Sequence, residues 1–287
     1  MKKIFFSLLI TILIVSCNLS TSPEYVEEII RPMLPDTLHS EIINDNYRLY
    51  TSLPSEYNHI REEGYDVIYV LDGDELTYGT DTYLADVHGV VGMADSLGRN
   101  DIIPDCIVVG IGYADVGMRF RDYYSPPDTM FVQYGHAYDF YNFLRDELFP
   151  LTDAMLNTKG NQGRTLIGTS AGGYFVMHAF LRYDETIGPV VNNFISSTPR
   201  VAHMDYQLLK ELNDYLSRNS EPNPNRIFYS FGDRGGEMLP EQIDIYSIPF
   251  ESNGFNTHQV RYVNESHSSV FRPSVIHGLQ WLFNGYY

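Results

Sequence analysis

The stretch that decides the fold reads RTLIGTSAGGYFVMHAFL and covers residues 164–181. Its first residues, Arg164 to Ile167, have the composition of a strand, and Tyr174 to Leu181 form an apolar run with the length of a helix. Between them stands a G-x-S-x-G pattern whose serine is Ser170. Small residues beside such a serine let a strand turn sharply into a helix, and the turn exposes the hydroxyl. The segment predicts a nucleophilic serine; the alternative is a glycine-rich turn that only joins two core elements.

Short apolar runs alternate with helical patterns along the rest of the chain. Strands are predicted for residues 41–53, 66–71, 106–111, 190–195, 226–231 and 258–263. Helices are predicted for residues 139–156, 206–216 and 273–283, where apolar residues recur at helical spacing. This alternation favours an α/β fold with a mostly parallel central sheet and helices on both faces.

A histidine is the usual base beside a nucleophilic serine, because a pKa of about 6.5 lets it take and return a proton near neutral pH. Five histidines follow the serine: His178, His203, His258, His267 and His277. His178 and His277 fall within helical patterns, and His258 begins a strand. His203 does not directly follow a predicted strand. His267 instead stands in a polar loop directly after the strand predicted at 258–263. Open α/β sheets carry their active sites at that carboxyl edge, so we predict His267 as the base.

The acid that would orient this histidine is expected in the loop after the strand at 226–231, between serine and histidine in chain order. That loop contains Asp233, at the strand end, and Glu237, further round the turn. We favour Glu237 because its longer side chain could fold back toward the histidine. Asp233 could instead be a turn residue bonded to the backbone, and Glu237 a charge at a helix N-terminus.

The first residues have the pattern of an export signal. Two lysines precede the apolar run Ile4 to Val15, which is too short to span a bilayer with ease. The run ends in Val15-Ser16-Cys17, which resembles the bacterial lipobox, although a buried helix is the alternative. We predict a signal peptide at residues 1–16, a tether lipid-anchored through Cys17 at 17–37, and one domain at 38–287.

Composition excludes several classes of function. The formal net charge is −18, so the chain lacks the basic surface that binds nucleic acid or an anionic membrane. Membrane attachment would therefore have to come from the lipid. The second cysteine, Cys106, lies in an apolar run and is expected to be buried. The sequence has no H-E-x-x-H pattern and no clustered His/Cys spacing, so we expect neither a metal nor another cofactor.

Further motifs lie on both sides of the serine turn, in a fixed order along the chain. They are Tyr69–Gly73, Ile107–Ile111, Arg119–Tyr123 with Pro126, Phe143–Pro150, and His267 with Leu279–Phe283. In this order they resemble the bacterial putative-esterase family of α/β-hydrolases, which includes enterochelin esterases, S-formylglutathione hydrolases, feruloyl esterases and mycolyl transferases. The resemblance runs from about residue 38 to the C-terminus.

The resemblance implies an α/β-hydrolase fold with little or no cap domain. It also implies an oxyanion hole made by the backbone N–H groups of Ala171 and Asp74, where some relatives carry an apolar residue at the second position. The loop with Arg119, Asp122 and Tyr123 is similar to the family's Arg-x-x-Asp-Tyr-x-x-Pro loop, and the resemblance implies that these three bind substrate.

We therefore expect a serine esterase, anchored on the bacterial cell envelope, that forms an acyl-enzyme on Ser170. Its substrate would be a small-molecule or glycan ester, such as a siderophore or a feruloyl or acetyl glycan. The alternatives are an acyltransferase of the same fold and a non-catalytic envelope lipoprotein that binds a glycan or siderophore.

Overall fold

Eight strands form one sheet at the centre of the chain. The computed structural model describes residues 33–79, 89–113, 115–125, 135–201, 207–234 and 240–284. In chain order the strands are β1 (Thr37–Ser40), β2 (Asp45–Ser52), β3 (Asp66–Leu71), β4 (Cys106–Ile111), β5 (Arg164–Thr169), β6 (Asn193–Ser197), β7 (Arg226–Gly232) and β8 (Asn256–Tyr262). They lie side by side in the order β1-β2-β4-β3-β5-β6-β7-β8. Strand β2 is antiparallel to both of its neighbours, and β3 to β8 run parallel, which confirms the predicted mostly parallel sheet.

Helices connect the parallel strands. They are α1 (Gly73–Leu76), α2 (Gly89–Arg99), α3 (Arg119–Tyr123), α4 (Ala137–Phe143), α5 (Phe149–Met155), α6 (Ala171–Phe180), α7 (Gln207–Arg218), α8 (Pro240–Ser252) and α9 (Phe271–Asn284). A π-helical turn, Leu144–Leu148, joins α4 to α5, and the Phe149 N–H donates to the Leu144 carbonyl. Pro150 has no N–H to continue the regular ladder, so the wider turn accommodates the break.

The observed elements differ from the predicted ones at several places. Residues 41–44 of the strand predicted at 41–53 form a turn, in which Asn44 takes a left-handed φ of 58°. Asparagine tolerates this conformation better than most residues. This turn joins β2 to β1, a strand that was not predicted. Helices α2 and α8 were not predicted: Gly92 and Gly98 lower the helix propensity of the first, and Pro249 stands inside the second.

Both faces of the sheet are covered by apolar side chains. Along β3 the residues alternate between the two core clusters, with Val67, Tyr69 and Leu71 in one and Ile68 and Val70 in the other. The larger cluster packs under α3 to α7, and the smaller one under α2 and α9. A strand buried on both faces needs a continuous apolar run, and this run is what the sequence of β3 shows.

The N-terminal predictions fall mostly outside the described residues. The signal peptide at 1–16 and Cys17 lie there entirely, and of the tether at 17–37 only residues from 33 onward are described. Leu34 is buried in the larger core cluster, so the last residues of that predicted tether pack against the domain. None of the helices in the described ranges has the length and hydropathy required to cross a bilayer.

Candidate active site

The serine predicted as nucleophile lies on a sharp turn between β5 and α6. Ser170 has a φ of 58° and a ψ of −117°, a backbone conformation that L-residues rarely adopt. The turn is held by its own N–H, which donates to the Ser197 carbonyl at 3.0 Å. A Cβ on Gly168 would lie 2.4 Å from the Gly172 carbonyl oxygen, and one on Gly173 would lie 2.7 Å from the Ser197 oxygen. These close approaches explain why glycines flank the serine.

A pocket of about 200 Å³ opens beside this serine. It is lined by Asp72, Glu75, Leu76, Tyr113, Arg119, Thr169, Ser170, His267, Ser268 and Phe271. These residues follow the carboxyl ends of β3, β4, β5 and β8, the edge at which open α/β sheets place their sites. The structure therefore brings Ser170 and His267 to one cavity, although more than three elements separate them along the chain.

The loop that carries His267 is fixed at several points. The Thr198 hydroxyl lies 3.4 Å from the His267 carbonyl oxygen, and the Ser266 N–H donates to the Ser269 hydroxyl at 2.9 Å. A Cβ on Gly232, at the end of β7, would lie 2.3 Å from the Glu265 carbonyl oxygen, so this loop packs directly on the neighbouring strand. The histidine is thus attached to a rigid part of the sheet edge.

The other described histidines lie outside this pocket. His178 is buried in α6, His258 stacks on Trp281 with ring centroids 5.4 Å apart, and Nδ1 of His277 lies 2.7 Å from the Tyr262 hydroxyl. His203 falls outside the described residues. Among the described histidines, His267 alone lines the cavity beside the serine.

Of the two candidate acids, only Asp233 lies among the residues that the structure describes. Asp233 Oδ1 accepts the Asn264 N–H at 2.6 Å, and its other oxygen lies 4.0 Å from Arg261 Nε. Asp233 therefore ties β7 to the turn after β8, and it is not among the residues that line the pocket. Glu237 lies outside the described residues, so its assignment as the acid stays a prediction.

The two backbone groups implied for an oxyanion hole belong to first turns of helices. Ala171 begins α6 and Asp74 is the second residue of α1, so neither N–H has a carbonyl four residues back within its helix. The Asp74 carboxylate accepts the Tyr50 hydroxyl at 2.6 Å and the Tyr113 N–H at 2.7 Å, and it pairs with Arg48 at 2.7 Å. The side chain thus anchors α1 to β2 and β4.

An ion pair forms one wall of the pocket. Arg119 donates from Nε and from a terminal nitrogen to the two oxygens of Asp72, at 2.8 and 2.7 Å. This two-point geometry is the strong form of an arginine–carboxylate contact. Burial, followed by the charge of Asp72, raises the pKa of Tyr113, so this phenol on the same wall stays protonated at neutral pH.

Two of the three residues predicted to bind substrate, Asp122 and Tyr123, are not among those that line the pocket. Asp122 is buried, accepts the Tyr47 hydroxyl at 2.9 Å, and pairs with Arg121. Tyr123 is also buried, and its hydroxyl accepts the Asp72 N–H at 3.0 Å. These contacts hold α3 and the Asp72 turn in place. The role of the two residues in substrate binding stays a prediction. Arg119 alone of the three reaches the cavity.

Sequence reasoning missed a second constellation of serine, histidine and carboxylate. His178 Nδ1 lies 2.7 Å from Glu211 Oε2 and 3.0 Å from the Ser125 hydroxyl, which also donates to Glu211. Arg182 lies 3.6 Å from the same carboxylate. Ser125, His178 and Glu211 are all buried and line no part of the pocket. No motif marks this cluster, because its members come from three separate segments.

Within the described part of the chain, no group of His, Cys, Asp and Glu side chains has the arrangement of a metal site. The polar side chains that line the pocket include Ser170, His267, Glu75 and the ion pair of Asp72 with Arg119.

Comparison with known proteins decides the family. The model of the family described as "Putative esterase" matches residues 40–192, which is more than half of the chain. The chain belongs to this esterase family. Its members are hydrolases that act on esters, and the sheet order and serine turn described above agree with that membership. The matched region includes Ser170 and ends before His267.

Individual relatives of this esterase are distant in sequence and similar in fold. The uncharacterized protein YbbA of Bacillus subtilis (strain 168) is 23% identical over 258 residues, covering 84% of this chain and 93% of YbbA. An IroE-like serine hydrolase from Shewanella oneidensis has a TM-score of 0.69 at 22% identity, covering 86% of this chain and 78% of that one. Siderophore hydrolase EstA from Aspergillus nidulans has a TM-score of 0.68 at 18% identity, covering 88% and 94%.

Proposed function

We propose that this protein hydrolyses a carboxylic ester through an acyl-enzyme on Ser170, with His267 as general base. The observation that carries the proposal is the presence of both side chains in one pocket, with the serine on a strained turn that begins a helix. His267 would take the hydroxyl proton as the serine oxygen attacks the ester carbonyl. It would then protonate the leaving alcohol and activate the water that releases the acid.

Negative charge develops on the carbonyl oxygen during attack, and the helix starts are suited to stabilise it. The N–H of Ala171 points from the first turn of α6, and the positive end of that helix dipole adds to its effect. Asp74 N–H would supply a second donor from α1. Its carboxylate is engaged by Arg48, Tyr50 and the Tyr113 N–H, so the side chain is held by partners on β2 and β4.

A small-molecule ester is the substrate class that we propose. Proteins with a similar fold include a siderophore hydrolase and a ferulic acid esterase, and a pocket of about 200 Å³ suits the acyl or alcohol part of such a compound. We propose water as the acceptor of the acyl group; an added alcohol that yields a new ester in preference to the free acid would instead indicate a transferase.

A fluorophosphonate probe tests the mechanism directly. We expect stoichiometric labelling that maps by peptide mass to Ser170, and loss of labelling in Ser170→Ala. The matched control is Ser125→Ala, which removes a serine from the buried cluster and should still label. An unlabelled wild-type protein that is correctly folded would leave a binding lipoprotein as the better interpretation.

We further propose that Cys17 carries a lipid that holds the protein on the bacterial cell envelope. Support comes from the sequence alone, through the short apolar run that ends at this cysteine. Cys17→Ser should move the protein from the membrane fraction to the soluble fraction, because a chain with a formal net charge of −18 has no electrostatic attraction to anionic lipid. Continued sedimentation of the variant with membranes would contradict the anchor.

A further inference from the structure

Three carboxylates stand in four consecutive positions where the chain leaves β3 and enters α1. Two of them are neutralised within the protein. Asp72 shares two hydrogen bonds with Arg119, and Asp74 pairs with Arg48. The third, Glu75, lines the same pocket as Ser170 and His267.

The Glu75 carboxylate has no such neutralising partner. Among the described residues it forms no hydrogen bond and no ion pair within 4.0 Å, and its side chain is exposed. Burial of part of the side chain, followed by the charge of Asp72, raises the pKa of Glu75 above its ordinary value. The charge of Asp74 adds to this rise, and the charge of Arg119 opposes it.

The charges around the pocket therefore do not cancel. Arg119 and Asp72 neutralise each other across their two hydrogen bonds, and Tyr113 is neutral, so Glu75 contributes one uncompensated negative charge. A substrate held at Ser170 occupies the cavity that Glu75 also lines. A charged substituent on that substrate would share this cavity with the carboxylate.

We propose that Glu75 is a specificity-determining residue that selects esters with a positive charge near the scissile bond and disfavours esters with a negative one. This inference rests on the proposed function, because it concerns the substrate of the same serine. In a solvated pocket, a substrate charge about 4 Å from the carboxylate would change relative kcat/KM on the order of fivefold, and salt would weaken the effect.

Two matched pairs of esters measure the effect of charge without a change of shape. On the acyl side, the p-nitrophenyl ester of 4-(trimethylammonio)butanoate is compared with that of 5,5-dimethylhexanoate, its neutral carbon isostere. On the alcohol side, acetylcholine is compared with 3,3-dimethylbutyl acetate. We expect wild type to prefer the cationic member of at least one pair on the order of fivefold at low salt, and less at 0.5 M salt.

Substitutions assign this preference to one residue. Glu75→Gln should abolish the preference, and Glu75→Lys should reverse it in favour of p-nitrophenyl glutarate, which carries a carboxylate. Glu63→Gln is the control: it removes the same charge from an exposed position before β3, at the opposite edge of the sheet, and should keep the wild-type ratio.

The outcomes separate this inference from the proposed function. Hydrolysis of the neutral esters without a charge preference in either pair, or a preference that survives Glu75→Gln, would overturn the role of Glu75 and leave the esterase intact. Failure to hydrolyse any ester, together with no labelling of Ser170, would reject both.

Discussion

Two regions of this molecule contain the same three kinds of side chain and differ in almost everything else. The pocket at the carboxyl edge of the sheet holds Ser170 and His267, with two candidate acids in the loop after β7. The buried cluster holds Ser125, His178 and Glu211 in direct contact with one another.

Geometry around the histidine ring explains why the buried cluster is structural. In a catalytic triad the serine and the acid bond to opposite nitrogens, so that the ring can pass a proton. In the cluster both the Ser125 hydroxyl and the Glu211 carboxylate lie against Nδ1, while Nε2 of His178 has no hydrogen-bond partner among the described residues. The three cluster residues are also buried and are not among those that line the pocket, which lies beside a helix start. Identity of residues is thus a weaker guide to function than their arrangement.

The largest difference should appear when each serine is removed. Ser170→Ala should lower kcat/KM for a p-nitrophenyl ester by a factor on the order of 10⁴ or more, with little change in stability. Ser125→Ala should keep activity within about tenfold and instead lose about 1–3 kcal/mol of unfolding free energy, because Glu211 loses a buried donor. Near-full activity of Ser170→Ala would contradict the assignment of Ser170 as the nucleophile.

The histidines give the second comparison. His267→Ala should lower kcat by a factor comparable to that of the serine variant, on the order of 10⁴, because nucleophile and base act as a unit. His178→Gln should lose stability in urea unfolding and retain most of its activity where it is folded. Equal catalytic losses in the two variants would show that the buried cluster takes part in the reaction.

The acid provides a smaller and riskier comparison. Glu237→Gln should lose roughly 10²–10⁴ in kcat with a modest change in KM, because the orienting acid fixes the tautomer and stabilises the imidazolium. Asp233→Asn should lose less than about tenfold, since its hydrogen bond to the Asn264 N–H is structural. The reverse ranking would assign the role to Asp233. Small losses in both would indicate a Ser-His pair without a carboxylate.

Substitution of Glu211 should have the smallest effect on catalysis and an effect on unfolding free energy that depends on pH. Burial favours its neutral form, but the charge of His178 and hydrogen bonds from His178 and Ser125 outweigh burial and hold the pKa of Glu211 below its ordinary 4.5. A lowered pKa in the folded state adds stability that is complete above pH 4.5 and is lost as pH falls through the folded value.

Glu211→Gln tests this dependence. At pH 7 it should cost on the order of 3 kcal/mol of unfolding free energy, because His178 and Arg182 lose a buried partner. The difference from wild type should shrink below pH 4.5 in urea titrations. A difference that stays constant from pH 7 to pH 3 would contradict the charged state of the cluster.

The fold could be predicted from the sequence because its parallel strands are continuous apolar runs bounded by turn residues. The serine turn and the position of His267 followed from the same logic, since a sharp turn needs glycines and a polar loop after a strand lies at the sheet edge. Three-dimensional contacts were not accessible in this way. The Asp72–Arg119 ion pair joins distant segments, and so does the cluster around Glu211.

The residues of the motif at α3 lie in different surroundings, which the sequence pattern does not distinguish. Asp122 and Tyr123 belong to a motif whose residues were all assigned to substrate binding, yet only Arg119 faces the pocket. A short helix such as α3 points successive side chains in different directions, so one motif contributes to a wall and to the core behind it. Glu75 could have been noticed as the third acid after β3, but its exposure to the pocket depends on the turn at Asp72.

The order of strands has a consequence for when the site exists. Ser170 is made early, at the end of β5, whereas His267 follows three further strands, and β8 is added at the outer edge of the sheet. A nascent chain that emerges from the ribosome, or one that crosses a membrane N-terminus first, thus carries its nucleophile long before its base. Reactivity of the serine would be withheld until the last part of the chain has been delivered and folded.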